Sequence, residues 1–252
     1  LGGHGELAGA VSLDGPGEDG PQIDWLTAEE GRLGYDETNE RLILEHDQQT
    51  RLELPLRGIG LGVVEELDPD YNYDPSNLRD EYGPTFPRGF AWITPTVTET
   101  VAREDAIDIR LEHAGLATRL RVEIDGKNRF KLVLSPPENQ PIAYLRVEAT
   151  VDKKEGFYGL GEVFDAVEHR GKLRPMHILP DLNAESAVND IHAPIPLLLG
   201  TKGWGCFVKS FYPMLFEVAT DTPDSIAFSV GTAGEGKNDV TFYLFSEAHP
   251  LD

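Results

Sequence analysis

The fold of this chain is most clearly indicated by residues 119–134, which read RLRVEIDGKNRFKLVL. Charged residues alternate with apolar ones before the DGKN turn, and a second alternating run follows it. Because successive side chains of a strand point to opposite faces, each run predicts a half-buried strand, and the pair predicts a β-hairpin. The apolar side chains of both runs are therefore predicted to face one core. They are Leu120, Val122, Ile124, Phe130, Leu132 and Leu134.

Similar short runs occur on both sides of this hairpin and predict further strands. They span residues 41–45, 51–56, 106–112, 143–149, 204–209, 215–218, 226–230 and 240–245. Turn residues separate most of them, and helical periodicity is absent, so the predicted fold class is all-β, an antiparallel β-sandwich. Residues 65–88 and 163–192 lack the pattern. They are predicted to be two long loops, which in compact domains are commonly functional.

Length and charge narrow the classes of protein that this chain can belong to. The 252 residues favour one domain, predicted to run from residue 22 to 252 behind a flexible leader of Gly, Pro and acidic residues at 1–21. Forty-four acidic against 22 basic residues give a net charge of −22, which repels phosphate backbones and argues against nucleic acid as a partner. No apolar run is long enough to span a membrane. The compartment stays open, with an extracytoplasmic setting favoured by the acidity.

Two features with reactive or metal-binding residue types are interpreted as structural. Cys206 is the single cysteine and lies in an apolar run, which predicts a buried, inert thiol. Asp68, Asp70, Asn72 and Asp74 are spaced like the opening of a calcium loop, but the required glycine and final glutamate are replaced by tyrosine and arginine. No metal or cofactor is therefore predicted, although an irregular calcium site in this acidic loop stays open.

The most specific string of the chain is GFYGLGE at residues 156–162. It resembles the FYGLGE signature of family 31 glycoside hydrolases, which lies in their N-terminal domain shortly before the catalytic barrel. Further strings follow in the order that the family has. They are HRG at 169–171, IP at 195–196, GWGCF at 203–207, FYLF at 242–245 and PLD at 250–252. The match covers residues 141–252, and upstream the strand rhythm agrees with the family's galactose mutarotase-like sandwich.

The resemblance implies the N-terminal domain of a retaining α-glycosidase, similar to α-glucosidases, that hydrolyses terminal α-linked sugars. Family members attack the anomeric carbon with one barrel aspartate and protonate the leaving oxygen with another, the two carboxyl groups lying about 5 Å apart. The nucleophile normally sits in a string like Trp-x-Asp-Met-Asn-Glu, which does not occur here. The implied partners are therefore an α-glycoside substrate and the chain's own C-terminal barrel. This chain alone is expected to be inactive and to hold no catalytic residue.

The resemblance also implies which residues bind substrate. In relatives, one loop of the sandwich leans over the barrel and supplies a polar residue to the sugar pocket, and the equivalent here is residues 176–185. Asp181 best matches the family's aspartate, Asn183 replaces it if the alignment shifts by two, and His177 is a further candidate for sugar contact. A carboxylate suits this role because it accepts two hydrogen bonds from vicinal hydroxyls. The alternative is an aspartate that caps a turn after Pro180. The loop departs from the commoner Trp-Asn-Thr-Asp pattern, so the usual glucose specificity does not follow.

Glu162 and Arg170 lie in and just after the signature and are interpreted as structural rather than catalytic. Glu162 is expected either to pair with a charge, with Arg170 as the candidate partner, or to cap the end of the strand. Two other functions fit a β-sandwich. One is an aldose 1-epimerase, whose His and Glu motifs are not found in the sequence. The other is a non-catalytic carbohydrate-binding module, in which Tyr71, Tyr73 and Tyr82 would form an aromatic platform for sugar.

Overall fold

The computed structural model describes residues 22–80, 83–163, 165–177, 191–232 and 239–248. These residues form antiparallel β-sheets with two short 3₁₀ helices, so the predicted all-β sandwich is confirmed. The predicted leader at residues 1–21 lies outside the described residues. No helix within the described part is long and apolar enough to cross a membrane.

The strands of the described residues are β1 (Ile23–Ala28), β2 (Gly31–Asp36), β3 (Arg41–His46), β4 (Gln49–Pro55), β5 (Gly60–Val63), β6 (Ala91–Ile93), β7 (Thr96–Ala102), β8 (Ala106–His113), β9 (Leu116–Ile124), β10 (Arg129–Ser135), β11 (Ile142–Thr150), β12 (Phe157–Gly159), β13 (Glu162–Val163), β14 (Lys172–Pro175), β15 (Ile191–Ala193), β16 (Leu197–Gly200), β17 (Trp204–Lys209), β18 (Met214–Val218), β19 (Ser225–Gly231) and β20 (Val240–Ser246). The 3₁₀ helices span Leu56–Gly58 and Pro75–Arg79.

Two large sheets form the layers of the sandwich. Sheet A has the strand order β1-β2-β3-β4-β11-β19-β18-β14, and β5 joins it by pairing with both β11 and β6. Sheet B has the order β12-β16-β17-β20-β10-β9-β8-β7. β13 and β15 form a separate two-stranded ribbon.

The hairpin predicted from residues 119–134 is formed by β9 and β10, in which Phe130 lies opposite Ile124 and Leu132 lies opposite Val122. Five of the six predicted core side chains are fully buried, and Ile124 is partly buried against the same core. The core therefore lies between the two sheets, as the alternation predicts.

Cys206 lies in this core on β17, where it pairs across the strand with Leu198. Burial raises the pKa of its thiol to about 12, so the thiol stays protonated at neutral pH. The prediction of a buried, inert cysteine is confirmed.

Asn128, at the end of the β9–β10 turn, ties the two sheets together. Its backbone is left-handed, with φ of 48°. Its buried Oδ1 accepts hydrogen bonds from the backbone N–H of Gly31 at 2.8 Å and of Glu30 at 3.1 Å, both in the β1–β2 turn of sheet A. Its carbonyl oxygen accepts from Ser246 N at the end of β20. One residue thus satisfies backbone groups of both layers.

Both stretches predicted as long loops contain regular structure, so those two predictions are partly wrong. Residues 65–88 contain the second 3₁₀ helix, whose N-cap Asp74 accepts a hydrogen bond from Ser76 N. Residues 163–192 contain β14, which pairs with β18. β14 reads KLRP and is too short and too polar to show a period of two.

Residues 64–80 and 83–90 cross the outer face of sheet A, the face that points away from the main core. There Val64, Tyr73 and Leu78 pack on Ala143 and Tyr144 of β11 and form a small second core. This segment shields part of the outer face from solvent.

Arg79 fastens the same segment by charge. Its guanidinium donates two hydrogen bonds to Asp221, at 2.6 and 2.9 Å, and lies 2.6 Å from Oε1 of Glu217 on β18. Glu217 is only 4% exposed and also pairs with Arg146 of β11. A buried carboxylate needs such partners, because an unpaired buried charge is strongly destabilising.

Replacing Asn128 tests the link between the sheets. We expect Asn128→Ala to lower the free energy of unfolding by roughly 2–4 kcal/mol, because two buried N–H groups lose their acceptor and alanine resists a left-handed backbone. Urea unfolding measures the change. Asn128→Gly should recover only the conformational part. Asn139, which is also left-handed but exposed in a turn, gives the control Asn139→Ala, with a smaller expected loss. Equal losses at both asparagines would contradict the buried hydrogen bonds as the cause.

Candidate substrate-binding loop and its supports

The glycines of the GFYGLGE string serve a turn between strands. Gly159, Leu160 and Gly161 are all left-handed, with φ of 102°, 57° and 85°. A Cβ atom on Gly161 would collide with the carbonyl oxygen of Ala193, and one on Gly159 with that of Leu197. The chain can therefore pass from β12 to β13 against neighbouring backbone only because these positions lack side chains.

His169 sits beneath this turn at the centre of a buried polar network. Its Nε2 lies 2.9 Å from the carbonyl oxygen of Gly159, and its Nδ1 accepts a hydrogen bond from Arg174 Nε at 3.1 Å. These partners fit a neutral imidazole protonated on Nε2. Burial lowers the pKa of His169, and the bond to Gly159 offsets only part of that effect. Arg174 in turn pairs with Asp165 at 2.8 Å.

Arg170 also has a structural role, although not the one predicted. Its guanidinium lies over the ring of Phe157, 4.9 Å from the ring centroid. It donates to three backbone carbonyl oxygens, those of Asp152, Glu155 and Pro223. Glu162 is exposed on β13. The predicted Glu162–Arg170 ion pair is therefore not formed, because Arg170 points to the other end of the motif.

His177 is the candidate site residue that the structure describes. Its Nε2 lies 3.1 Å from Oδ2 of Asp74, and both side chains are largely buried. The other oxygen of Asp74 accepts from the backbone N–H and the hydroxyl of Ser76, which fixes the carboxylate. Nδ1 of His177 has no hydrogen-bond partner among the described residues. The imidazole is thus oriented through Nε2 by Asp74, and its Nδ1 is buried.

The structure fixes both ends of the stretch that carries the other two candidates. Before it, β14 pairs with β18 and the N–H of Met176 donates to the carbonyl oxygen of Met214 at 2.7 Å. After it, β15 pairs with β13. Asp181 and Asn183 lie outside the described residues. What the structure adds is the attachment of their loop at its two ends.

The acidic stretch from Asp68 to Asp74 is engaged within the protein. Asp68 accepts a hydrogen bond from the N–H of Asp70 at 2.9 Å, and Asp74 holds Ser76 and His177. Across the residues that the structure describes, no group of three or more His, Cys, Asp or Glu side chains is arranged to hold a metal ion.

The aromatic platform predicted for a carbohydrate-binding module is wrong for Tyr73. Its ring is buried in the second core, and its hydroxyl accepts a hydrogen bond from the N–H of Asp68 at 2.7 Å. Tyr71 is half-buried and packs on Tyr73, with the ring centroids 4.9 Å apart. Tyr82 lies outside the described residues. The segment that carries Tyr71 and Tyr73 packs on sheet A, and this packing covers their rings.

Comparisons with known proteins agree with the sequence resemblance. No family model matches the chain. An isomaltosyltransferase from Sporosarcina globispora is 28% identical over 151 residues, which is 50% of this chain and 13% of that protein. A cycloalternan-forming enzyme from Listeria monocytogenes, solved with a pentasaccharide substrate, has a TM-score of 0.56 at 16% identity over 65% of this chain and 22% of its own. A family 31 sulfoquinovosidase from E. rectale has a TM-score of 0.51 at 13% identity over 91% of this chain and 32% of its own.

These matches confirm the resemblance to family 31 glycoside hydrolases. The chain spans 13% of the isomaltosyltransferase and 22% and 32% of the two solved enzymes. The structural likeness, at these identities, is a likeness of fold.

Replacing His169 tests the network below the signature turn. Its folded-state pKa is lowered by burial, so its stabilising contribution is present above the unfolded pKa of about 6.5 and is lost as the pH falls below it. We expect His169→Gln to be less stable at pH 7 but to lose less further stability between about pH 6.5 and 5 than the unchanged protein. Urea unfolding at both pH values measures this difference in pH dependence. Burial also lowers the pKa of His113, but His113 is present in both proteins and contributes to both in the same way. The same pH dependence in both would contradict a neutral, buried His169.

Proposed function

We propose that this chain, with residues 22–252 as one sandwich domain behind the 1–21 leader, is the N-terminal domain of a retaining α-glycosidase of family 31. In this proposal the enzyme acts on terminal α-linked sugars, and both catalytic aspartates belong to a barrel outside these residues. The related proteins support an α-glucoside substrate, since one is named for isomaltosyl transfer and another was solved with a pentasaccharide.

The domain contributes the loop that follows His177 to the substrate pocket. The observation that carries this is the His177–Asp74 pair, which holds the start of the loop against the segment crossing sheet A. Holding the first residue of a loop reduces the number of conformations open to the loop, and so lowers the conformational entropy that is lost when substrate binds.

Within the pocket, Asp181 accepts hydrogen bonds from vicinal hydroxyls of the terminal sugar. The carboxylate orients the ring so that the anomeric carbon faces the barrel nucleophile. His177, held through Nε2 by Asp74, positions the start of this loop. None of these groups breaks a bond, because attack and protonation belong to the barrel aspartates.

Asp181→Ala in the full-length enzyme tests this role. We expect kcat/KM for an aryl α-glycoside to fall by roughly one to two orders of magnitude, because a charged hydrogen bond to substrate is lost. The melting temperature should hardly change, since in this proposal the carboxylate binds substrate and does not support the fold. Asn183→Ala is the matched variant. If only Asn183→Ala lowers kcat/KM, the substrate-binding role belongs to Asn183. If neither variant changes the kinetics, Asp181 is a turn cap.

The 252-residue chain by itself should show no turnover of aryl α-glycosides, because the catalytic pair is proposed to lie elsewhere. The assay is release of the aryl group by the purified chain over a range of substrate concentrations. Saturable hydrolysis that a single substitution within the chain abolishes would refute the proposed division of labour.

A further inference from the structure

A second concave surface lies on the outer face of sheet A, beside the segment that crosses it. This groove has a volume of about 390 Å³, within the range of about 300–1,000 Å³ found for small-molecule sites. Its floor is formed by β5, β11, β18 and β19, and its walls by the second 3₁₀ helix and residues 86–94. The groove is not part of the loop base at His177.

One wall of the groove is aromatic. Phe86 is 56% exposed and Trp92 is 37% exposed, although both are large apolar side chains. Phe90 stacks on Phe86 at 5.8 Å and meets Trp92 edge-on at 5.4 Å, so the three rings support one another. Gly60 lies beneath Trp92, where an added Cβ would be 3.4 Å from the indole. Two well-supported aromatic side chains are thus left in contact with solvent beside a groove.

The floor of the groove carries both positive and negative side chains, most of them paired. Glu217 pairs with Arg79 and Arg146, and Arg146 also lies 4.0 Å from Glu148. Asp221 holds the far side of Arg79. Arg57 is exposed at the rim and makes no ion pair within the described residues. Three arginines and two glutamates line the groove, and Asp221 lies outside the lining beside Arg79, in a chain whose net charge is −22.

We propose that this groove binds a neutral oligosaccharide, as a second carbohydrate site apart from the active-site loop. The faces of pyranose rings are apolar and stack on exposed aromatic rings such as Trp92 and Phe86. Their hydroxyls can both donate and accept, which suits a floor where Glu148 and Arg57 lie side by side with a serine and a threonine.

The mixed charge selects against other ligands of this size. An anion would approach Glu148 and Glu217 as well as the arginines, and a cation would approach the three arginines as well as the two glutamates. A purely apolar partner would desolvate the Arg146–Glu217 pair without replacing its lost water. A hydroxyl-rich, uncharged ligand avoids all three costs.

Intrinsic tryptophan fluorescence and calorimetry with isomaltotriose and maltotriose test the proposal on the 252-residue chain. Of the three tryptophans, Trp92 is the most exposed, Trp25 is partly buried beneath Arg32 and Trp204 is buried in the main core, so the signal of Trp92 is taken as the difference between the unchanged protein and Trp92→Phe. We expect saturable binding of at least one trisaccharide, with a change in emission and less quenching by acrylamide. Trp92→Ala should weaken binding by about tenfold or more, and Phe86→Ala should also weaken it. Trp92→Phe should bind with a smaller loss and no emission change.

Two controls separate this site from others. Phe211→Ala removes an aromatic side chain that is 99% exposed but does not line the groove, and it should bind normally. Asp181→Ala should also bind normally, so failure of the active-site proposal and failure of this one can be told apart. The proposal is overturned if neither trisaccharide binds, if Phe211→Ala or Asp181→Ala weakens binding as much as Trp92→Ala, or if methyl α-glucuronide binds more tightly than both neutral sugars. It is also overturned if Trp92 is already protected from acrylamide without sugar.

Discussion

The contacts of Arg79 with Glu217 and Asp221 hold together much of what is distinctive in this domain. They fasten a segment of irregular backbone to the outer face of sheet A, in a place where Glu217 has little solvent to stabilise its charge. The position of the second 3₁₀ helix depends on this contact. Asp74 lies at the other end of the same short helix and reaches His177, while Pro75 and Leu78 form a wall of the groove. One ion-pair network therefore positions both the start of the proposed substrate loop and the wall of the groove.

The strongly alternating strands could be predicted from sequence because each has one face on the core and one in water. The β9–β10 hairpin has both the predicted pairing and the predicted buried residues. Alternation fails where both faces of a strand are covered or where the strand is very short. Tyr144 and Leu145 are neighbours on β11 and both are buried, because the crossing segment covers the outer face of this strand. β13 has only two residues and carries no pattern at all.

The sequence predicted which loop is the candidate site, but not the contacts that hold the loop in place. The signature string identified the family resemblance. The structural roles of its glycines, and of His169 and Arg170 after it, depend on contacts between residues that are distant in sequence. The spacing of Asp74 to other acidic residues is visible in the sequence, whereas its position beside His177 depends on the packing of two loops. Tyr73 and Trp92 show the same limit, since nothing local tells which aromatic residue a folded loop buries and which it leaves exposed.

The buried thiol of Cys206 has a practical consequence for following the substrate loop in solution. It is the chain's single cysteine, and in the folded protein it is both shielded and protonated. Maleimide reagents and spin labels react with exposed thiolates, so the native thiol contributes little background. A cysteine introduced on either side of residues 178–190 would then carry a reporter group at one known position. The distance from this reporter to a second label on sheet A becomes measurable without replacing any core residue.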